Sequence, residues 1–146
     1  MDTQLIIETV QNIFIGADEK NWELCRSSFA DIVCVDYTSL AGGVPAETRS
    51  EDVIAAWQEF LPKFHTTHHQ LGNFTVRQTG DFATISFYGT ATHFLPNDSG
   101  NNVWTVVGTY DASLRRSGNG WKVATMKFNF KYQDGNLNLP ALARTR

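Results

Sequence analysis

Hydrophobic residues in the first part of the chain recur at the spacing of α-helices. From Thr3 to Ala17, apolar side chains follow one another at steps of four, three, one and three residues, so they share one face of an amphipathic helix. The sequence Gly16-Ala17-Asp18 is expected to end this helix, and further helices are predicted over 21–29 and 50–61. The intervening segment 31–39 is rich in Val, Ile and Tyr and predicts a strand.

After residue 68 the period of the pattern changes to two, the spacing of half-buried strands. This alternation predicts strands over 68–78, 82–95, 103–115 and 121–132, which are joined by turn sequences rich in Gly, Asn, Asp and Ser. Helices followed by strands indicate a single α+β domain over residues 1–146, in which a curved sheet wraps the helices. The polar tail over 133–146 is expected to be irregular.

The same alternation predicts which strand residues point into the interior of the sheet. His93 shares the apolar parity of its strand with Phe87, and Tyr110 shares that of the next strand with Trp104. Tyr37 falls on the parity of two valines in the first strand. These side chains are therefore expected to face a common interior.

Three of the four histidines lie between positions 64 and 73, where the helical pattern changes to a strand pattern. Neighbouring side chains of a strand point to opposite faces, so only one of His68 and His69 can face the interior. His69 shares its side with Leu71, which should be buried. His69 is therefore predicted to point inward, while His65 and His68 are predicted to be exposed.

A β-bulge is predicted at Gly72 and Asn73, directly after the inward histidine. Such a bulge resets the alternation before Phe74, the next apolar residue of the strand. Replacement of Gly72 is then expected to damage folding.

Composition and charge narrow the classes of function. Hydrophobic residues make up 42% and charged residues 18% of the chain, which is typical of a soluble globular protein. The net charge of −3 argues against a nucleic-acid or membrane surface. The two cysteines, Cys25 and Cys34, lack C-x-x-C spacing and are expected to be reduced. No charged-then-apolar leader and no apolar run of about 20 residues is present, so a cytoplasmic location is expected.

The inward polar residues indicate a small-molecule site. Two histidines and two tyrosines, His69, His93, Tyr37 and Tyr110, would place polar tips in an apolar cavity. Histidine changes charge near neutral pH, which suits acid–base chemistry, although each residue could also be a hydrogen-bonded core side chain. No metal is expected, because the histidine spacing matches no ligand motif and the alternation divides the set.

Several segments resemble the SnoaL-like group of the nuclear transport factor 2-like superfamily, and within it the scytalone dehydratases. The resemblance rests on short motifs spread over nearly the whole chain: Asp18–Leu24, Val35–Tyr37, Thr67–Gly72, Thr92-His93 and Gly120–Lys122. It places the catalytic histidine of the family on His69, the residue that the alternation also selects.

The resemblance implies a cone-shaped α+β barrel and a cofactor-independent lyase or isomerase acting on a small apolar or aromatic carbonyl compound. Asp18 would accept a hydrogen bond from His69, which would serve as general base or acid. Tyr37 would polarise the oxygen that gains charge, and His93 would help a hydroxyl group to leave. Asp18 could alternatively be a turn carboxylate between two helices.

The expected substrate contacts are Tyr110, Trp104, Trp22 and Phe87. Two of the residues in this region depart from the family pattern. Ala17 stands where the family has a second water-binding tyrosine, and Tyr110 stands where it has an asparagine. The same substrate and an identical elimination are therefore not expected.

Two other functions fit the same sequence. The chain could be a binding module that keeps the pocket without turnover, or an interaction domain that uses the exposed face of its sheet. Tyr88, on the outward parity, suits a homodimer through that face. The expected partners are a small-molecule ligand and a second copy of the chain, with no nucleic acid and no membrane.

Overall fold

A computed structural model describes every residue from Met1 to Arg146. The helices are α1 (Thr3–Glu19), α2 (Trp22–Ser28), α3 (Thr38–Ala41), α4 (Ser50–Phe60) and α5 (Leu139–Arg144), with a 3₁₀ turn at Leu61–Lys63. The strands are β1 (Phe29–Asp36), β2 (Thr48–Arg49), β3 (Thr66–Thr79), β4 (Phe82–Phe94), β5 (Val103–Ser117) and β6 (Gly120–Gly135). None of the helices has the length and apolar character needed to cross a lipid bilayer.

The six strands form one curved sheet in the order β2-β1-β6-β5-β4-β3. Strands β3 to β6 pair with their sequence neighbours in antiparallel fashion, whereas β1 pairs with β6 in parallel fashion. The sheet is therefore mixed. The predicted α+β architecture, with N-terminal helices against a strongly curved sheet, is confirmed.

The core lies between α1 and the concave face of the sheet. Ile6, Val10 and Ile13 form the apolar stripe of α1 and are completely buried. From the sheet, Ile85 and Leu114 belong to the same core cluster and have almost no exposed surface. Burial of each such side chain contributes about 1.5–3 kcal/mol, so this layer holds the helix across the sheet.

The end of α1 differs from the sequence prediction. The helix does not break at Gly16 but continues to Glu19, and Lys20 closes it with a left-handed φ of 59°. Asp18 is therefore part of the last helical turn and not of a loop. A regular helix holds the Asp18 carboxylate more rigidly than a turn would.

Gly16 serves close packing between helices and does not end α1. A Cβ atom at this position would lie 2.7 Å from the Cys25 sulfur and 2.9 Å from the main-chain oxygen of Asn21. Cys25 itself is buried and donates to the main-chain oxygen of Ile13 at 3.1 Å. Both cysteines are free thiols, as predicted. Only glycine at position 16 lets α2 approach α1 this closely.

The predicted β-bulge is present in β3. The pairing register with β4 shifts between Gly72 and Thr75, so the inward positions change from His69 and Leu71 to Phe74. The left-handed residue of the bulge is Asn73, with a φ of 54°, and not Gly72. A Cβ atom at Gly72 would meet no other atom within 4 Å. The structure therefore gives neither a steric nor a backbone reason for the expected damage to folding when Gly72 is replaced.

The two glycines make a matched pair for mutagenesis. We expect Gly16→Ala to lower the free energy of unfolding by about 1–3 kcal/mol, because the added methyl group collides with the Cys25 sulfur and the main-chain oxygen of Asn21. We expect Gly72→Ala to change it by less than about 0.5 kcal/mol, because the site is open. Urea denaturation of both variants measures the difference, and equal stabilities would contradict this account of Gly16.

The C-terminal segment is partly ordered, contrary to the expectation of an irregular tail. Strand β6 extends to Gly135 and α5 follows it, with Pro140 in the first helical turn, a position that proline tolerates. Leu139 and Ala143, four residues apart, are fully buried and attach this helix to the core. The polar composition of the tail concealed these two apolar anchors.

Candidate active site

A cavity of about 190 Å³ lies between α1, α4 and the concave face of the sheet. Its wall is almost entirely apolar or aromatic, and the only two histidines on it are His69 and His93. The other lining residues are Ile13, Phe14, Ala17, Tyr37, Leu40, Trp57, Phe60, Leu61, Ala91, Trp104, Val106, Tyr110 and Phe128. The structure thus brings together the two histidines and two tyrosines that alternation placed in the interior.

The Asp18 carboxylate and the His69 side chain form a hydrogen-bonded pair at this wall. Oδ1 of Asp18 lies 2.7 Å from Nδ1 of His69, and Oδ2 accepts the main-chain N–H of the same residue at 2.7 Å. The hydroxyl of Thr67 donates to Oδ1 at 3.0 Å. Three donors therefore fix the orientation of the carboxylate, and the carboxylate fixes the imidazole ring.

The charge state of Asp18 follows from these contacts. Burial by itself would raise the pKa of the carboxyl group, but the hydrogen bonds from His69 and Thr67 outweigh it and hold the pKa below its ordinary value. The carboxylate is ionised at neutral pH and accepts a hydrogen bond from the Nδ1–H group of His69. The other ring nitrogen, Nε2, has no partner in the protein and can accept a proton from a ligand.

His93 is locked in a different state. Its Nδ1 lies 3.0 Å from the main-chain oxygen of Trp104, which can only accept, so Nδ1 carries the hydrogen. Burial lowers the pKa of this histidine to about 4. His93 is therefore neutral at pH 7, and its Nε2 is a hydrogen-bond acceptor. The expected role as proton donor to a leaving hydroxyl does not fit this geometry.

Tyr37 and Tyr110 supply hydroxyl groups to the same cavity, with ring centroids 6.3 Å apart. Strand β1 ends at Asp36, earlier than predicted, and Tyr37 caps the short helix α3. Burial raises the pKa of Tyr37 to about 12 and that of Tyr110 well above its ordinary value. Both hydroxyls keep their protons at neutral pH. Because the two groups also interact with each other, one can donate to the other while the second donates to a ligand.

Of the other predicted contacts, one lines the cavity and two do not. Trp104 lies on the wall, as expected. Phe87 is buried but stacks behind Tyr110, with centroids 5.0 Å apart and rings 8° from parallel, so it supports the wall without facing the cavity. Trp22 is half-buried on α2 and lines no part of the cavity. Strand parity predicts which face of the sheet a residue occupies, but not which part of that face lines the cavity.

Two groups of residues at the site were not predicted from the sequence. Thr67 holds Asp18, and it could have been found because it lies two residues before His69 and so on the same face of β3. The helical part of the wall, such as Trp57 and Phe60 of α4, carries no signal beyond an ordinary apolar stripe. Whether these side chains reach the cavity depends on how α4 packs against the sheet, which the sequence pattern does not show.

Comparison with known sequences gives a clear match to one domain family. The sequence profile of the SnoaL-like domain matches residues 2–127. No curated protein sequence matches the chain.

Solved structures show the same fold. The Kfla4162 protein from Kribbella flavida is 32% identical, with a TM-score of 0.89 and coverage of 98% of this chain and 97% of that protein. A candidate scytalone dehydratase from Novosphingobium aromaticivorans is 15% identical, with a TM-score of 0.76 and coverage of 91% and 86%. The hexachlorocyclohexane dehydrochlorinase LinA-type3 from Novosphingobium barchaimii is 14% identical, with a TM-score of 0.69 and coverage of 93% of each chain. The last two likenesses concern the fold alone.

Proposed function

Because this chain belongs to the SnoaL-like domain family, we propose that it is a cofactor-independent enzyme of the lyase or isomerase type that removes a proton from carbon beside a carbonyl group. The observation that carries this proposal is the Asp18–His69 pair, with its 2.7 Å hydrogen bond, at the wall of an apolar cavity. A general base must be oriented and must face the ligand, and this pair meets both needs.

The proposed reaction divides its tasks among the polar groups of the cavity. Nε2 of His69 takes the proton, and the ionised Asp18 stabilises the imidazolium that forms. The carbonyl oxygen gains negative charge and accepts a hydrogen bond from Tyr37 or Tyr110, whose hydroxyls are protonated. His69 then returns the proton, to a second carbon in an isomerisation or to a leaving hydroxyl in an elimination.

The neutral state of His93 bears on the choice between reactions. The Nδ1–H group of His93 is bound to the main-chain oxygen of Trp104, and the pKa of the ring is about 4. The nitrogen that faces the cavity, Nε2, therefore carries no proton at neutral pH. Elimination then requires either a leaving group that departs as an anion or one that receives its proton from His69. Two structural neighbours carry the names of eliminating enzymes, a dehydratase and a dehydrochlorinase, which is compatible with this class.

The cavity limits the size of the substrate. A volume of about 190 Å³ slightly exceeds the ~150 Å³ of an engineered apolar cavity that accepts benzene. One six-membered ring with a few substituents fits this space. The apolar wall favours an uncharged ring.

Proton exchange tests the proposal without knowledge of the natural substrate. The protein is incubated in D₂O with monocyclic ketones that carry hydrogen, hydroxyl or chloride β to the carbonyl, and NMR follows deuterium at the α carbon and loss of the β substituent. We expect exchange well above the buffer rate for at least one compound. Ligands that bind without exchange would instead indicate a binding module.

Filling the cavity should remove activity without touching the catalytic pair. Ala91 pairs with His69 across β3 and β4 and lines the cavity, so Ala91→Leu places three more carbons beside the base. We expect kcat/KM for exchange to fall at least about tenfold, mainly through KM. The control is Thr90→Leu, because Thr90 lies on the opposite face of β4. Equal rates for the two variants would contradict this placement of the substrate.

A further inference from the structure

The ring of His93 is held more firmly than a core packing role requires. It stacks on the indole of Trp104 with centroids 4.2 Å apart and an angle of 28°, and Phe64 lies 5.0 Å away. The indole is fixed in turn, because its Nε1 donates to the side-chain oxygen of Gln133 at 2.9 Å. With Nδ1 bound to the main-chain oxygen of Trp104, the ring has no freedom to turn.

This fixed ring presents one unpaired atom to the cavity. Nε2 of His93 has no hydrogen-bond partner in the protein, although the residue is only 5% exposed and lines the cavity. Because Nδ1 carries the hydrogen, Nε2 holds a lone pair and can only accept. The only hydroxyl groups on the wall are those of Tyr37 and Tyr110, and neither donates a hydrogen bond to His93.

We propose that His93 is a specificity-determining residue whose Nε2 accepts a hydrogen bond from a hydroxyl or N–H group of the ligand. The pocket would thus select single-ring compounds that carry a hydrogen-bond donor near the carbon from which His69 takes its proton. The centroids of the two imidazole rings are 6.4 Å apart, a separation that one six-membered ring can bridge. The proposal rests on the proposed function only in assigning the ligand to the same cavity.

The energetic consequence is selection against ligands without a donor. An apolar ligand that fills the cavity displaces water from Nε2 and leaves it buried and unpaired. Such a loss weakens binding by roughly 5- to 100-fold. A ligand that presents an acceptor at this point is disfavoured further, because two lone pairs then face each other.

Two non-reactive probes of equal size test the proposal. Phenol offers a hydroxyl donor, whereas fluorobenzene has nearly the same volume and no donor. Neither has an acidic C–H beside a carbonyl, so their binding does not depend on whether His69 catalyses any reaction. We expect calorimetric titration at pH 7 to show phenol binding at least about tenfold more tightly than fluorobenzene. Equal affinities, or no measurable binding of phenol, would overturn the proposal.

Variants of the two histidines show which of them causes the preference for phenol over fluorobenzene. His93→Phe keeps an aromatic ring but removes the acceptor, so the preference should vanish, while His93→Gln supplies an amide oxygen and should restore part of it. His69→Ala should keep the preference, although it loses exchange activity. A preference that survives in His93→Phe, or disappears in His69→Ala, would mean that another group of the protein accepts the hydrogen bond from phenol. If His93→Phe does not fold, the wild-type, His93→Gln and His69→Ala measurements still decide the question.

Discussion

Replacement of His69 by alanine is expected to lower the rate of α-proton exchange by about 10²–10⁴-fold, the usual contribution of a positioned general base. No other group in the cavity can substitute. The remaining imidazole, His93, has a pKa of about 4 and is a far weaker base than an ordinary imidazole. The two tyrosine hydroxyls keep their protons because burial raises the pKa of each.

Asp18→Asn should cause a loss of similar size with little change in KM. The carboxylate accepts the ring N–H of His69 with one oxygen and the main-chain N–H with the other. An amide has only one oxygen, so its NH₂ group must face one of these donors or donate to Nδ1. In the second case the ring hydrogen moves to Nε2, and the nitrogen that faces the ligand can no longer accept a proton.

His68→Ala is the matched control for both variants. His68 is the adjacent residue of β3, lies on the exposed face, and differs from His69 mainly in direction. We expect wild-type exchange from it. Circular dichroism melts separate lost chemistry from lost folding. If His69→Ala keeps the wild-type rate while folded, the base has been assigned to the wrong residue.

The sequence predicts the inward direction of His69 because two local signals agree. Leu71 marks the buried parity of β3, and the Gly72-Asn73 pair marks the bulge after which that parity changes. Both signals depend on residues within five positions of the histidine. The same kind of reasoning places Tyr110 correctly, since β5 alternates without interruption around it.

The errors arise where the outcome depends on a distant part of the chain. Gly16 suggests a helix end by its type, but its role is set by Cys25 on the neighbouring helix. The protonation of His93 is set by a main-chain oxygen on β5, at Trp104, which no pattern within β4 can reveal. Phe87 has the inward parity but lies behind Tyr110, because the cavity occupies only part of the concave face.

The buried, neutral state of His93 should make the protein less stable in mild acid. The pKa is about 4 in the folded chain, against about 6.5 for an unfolded histidine. Between these values the unfolded chain binds a proton that the folded chain does not, so the free energy of unfolding falls as the pH decreases from about 6.5 to 4. The expected loss from this one group is about 3 kcal/mol.

The pH range of this loss of stability distinguishes His93 from the nearby carboxylate. The carboxylate that faces the same cavity, Asp18, has a lowered pKa, so its stabilising effect is lost only as the pH falls below about 4. Urea denaturation between pH 4.5 and 7 therefore reports mainly on buried histidine. His93→Gln has no titrating group at this position, so most of the slope in this window should disappear, whereas His68→Ala should keep it. If the pH dependence of the free energy of unfolding is unchanged in His93→Gln, His93 already takes up a proton in the folded protein. It could then serve as the proton donor to a leaving group.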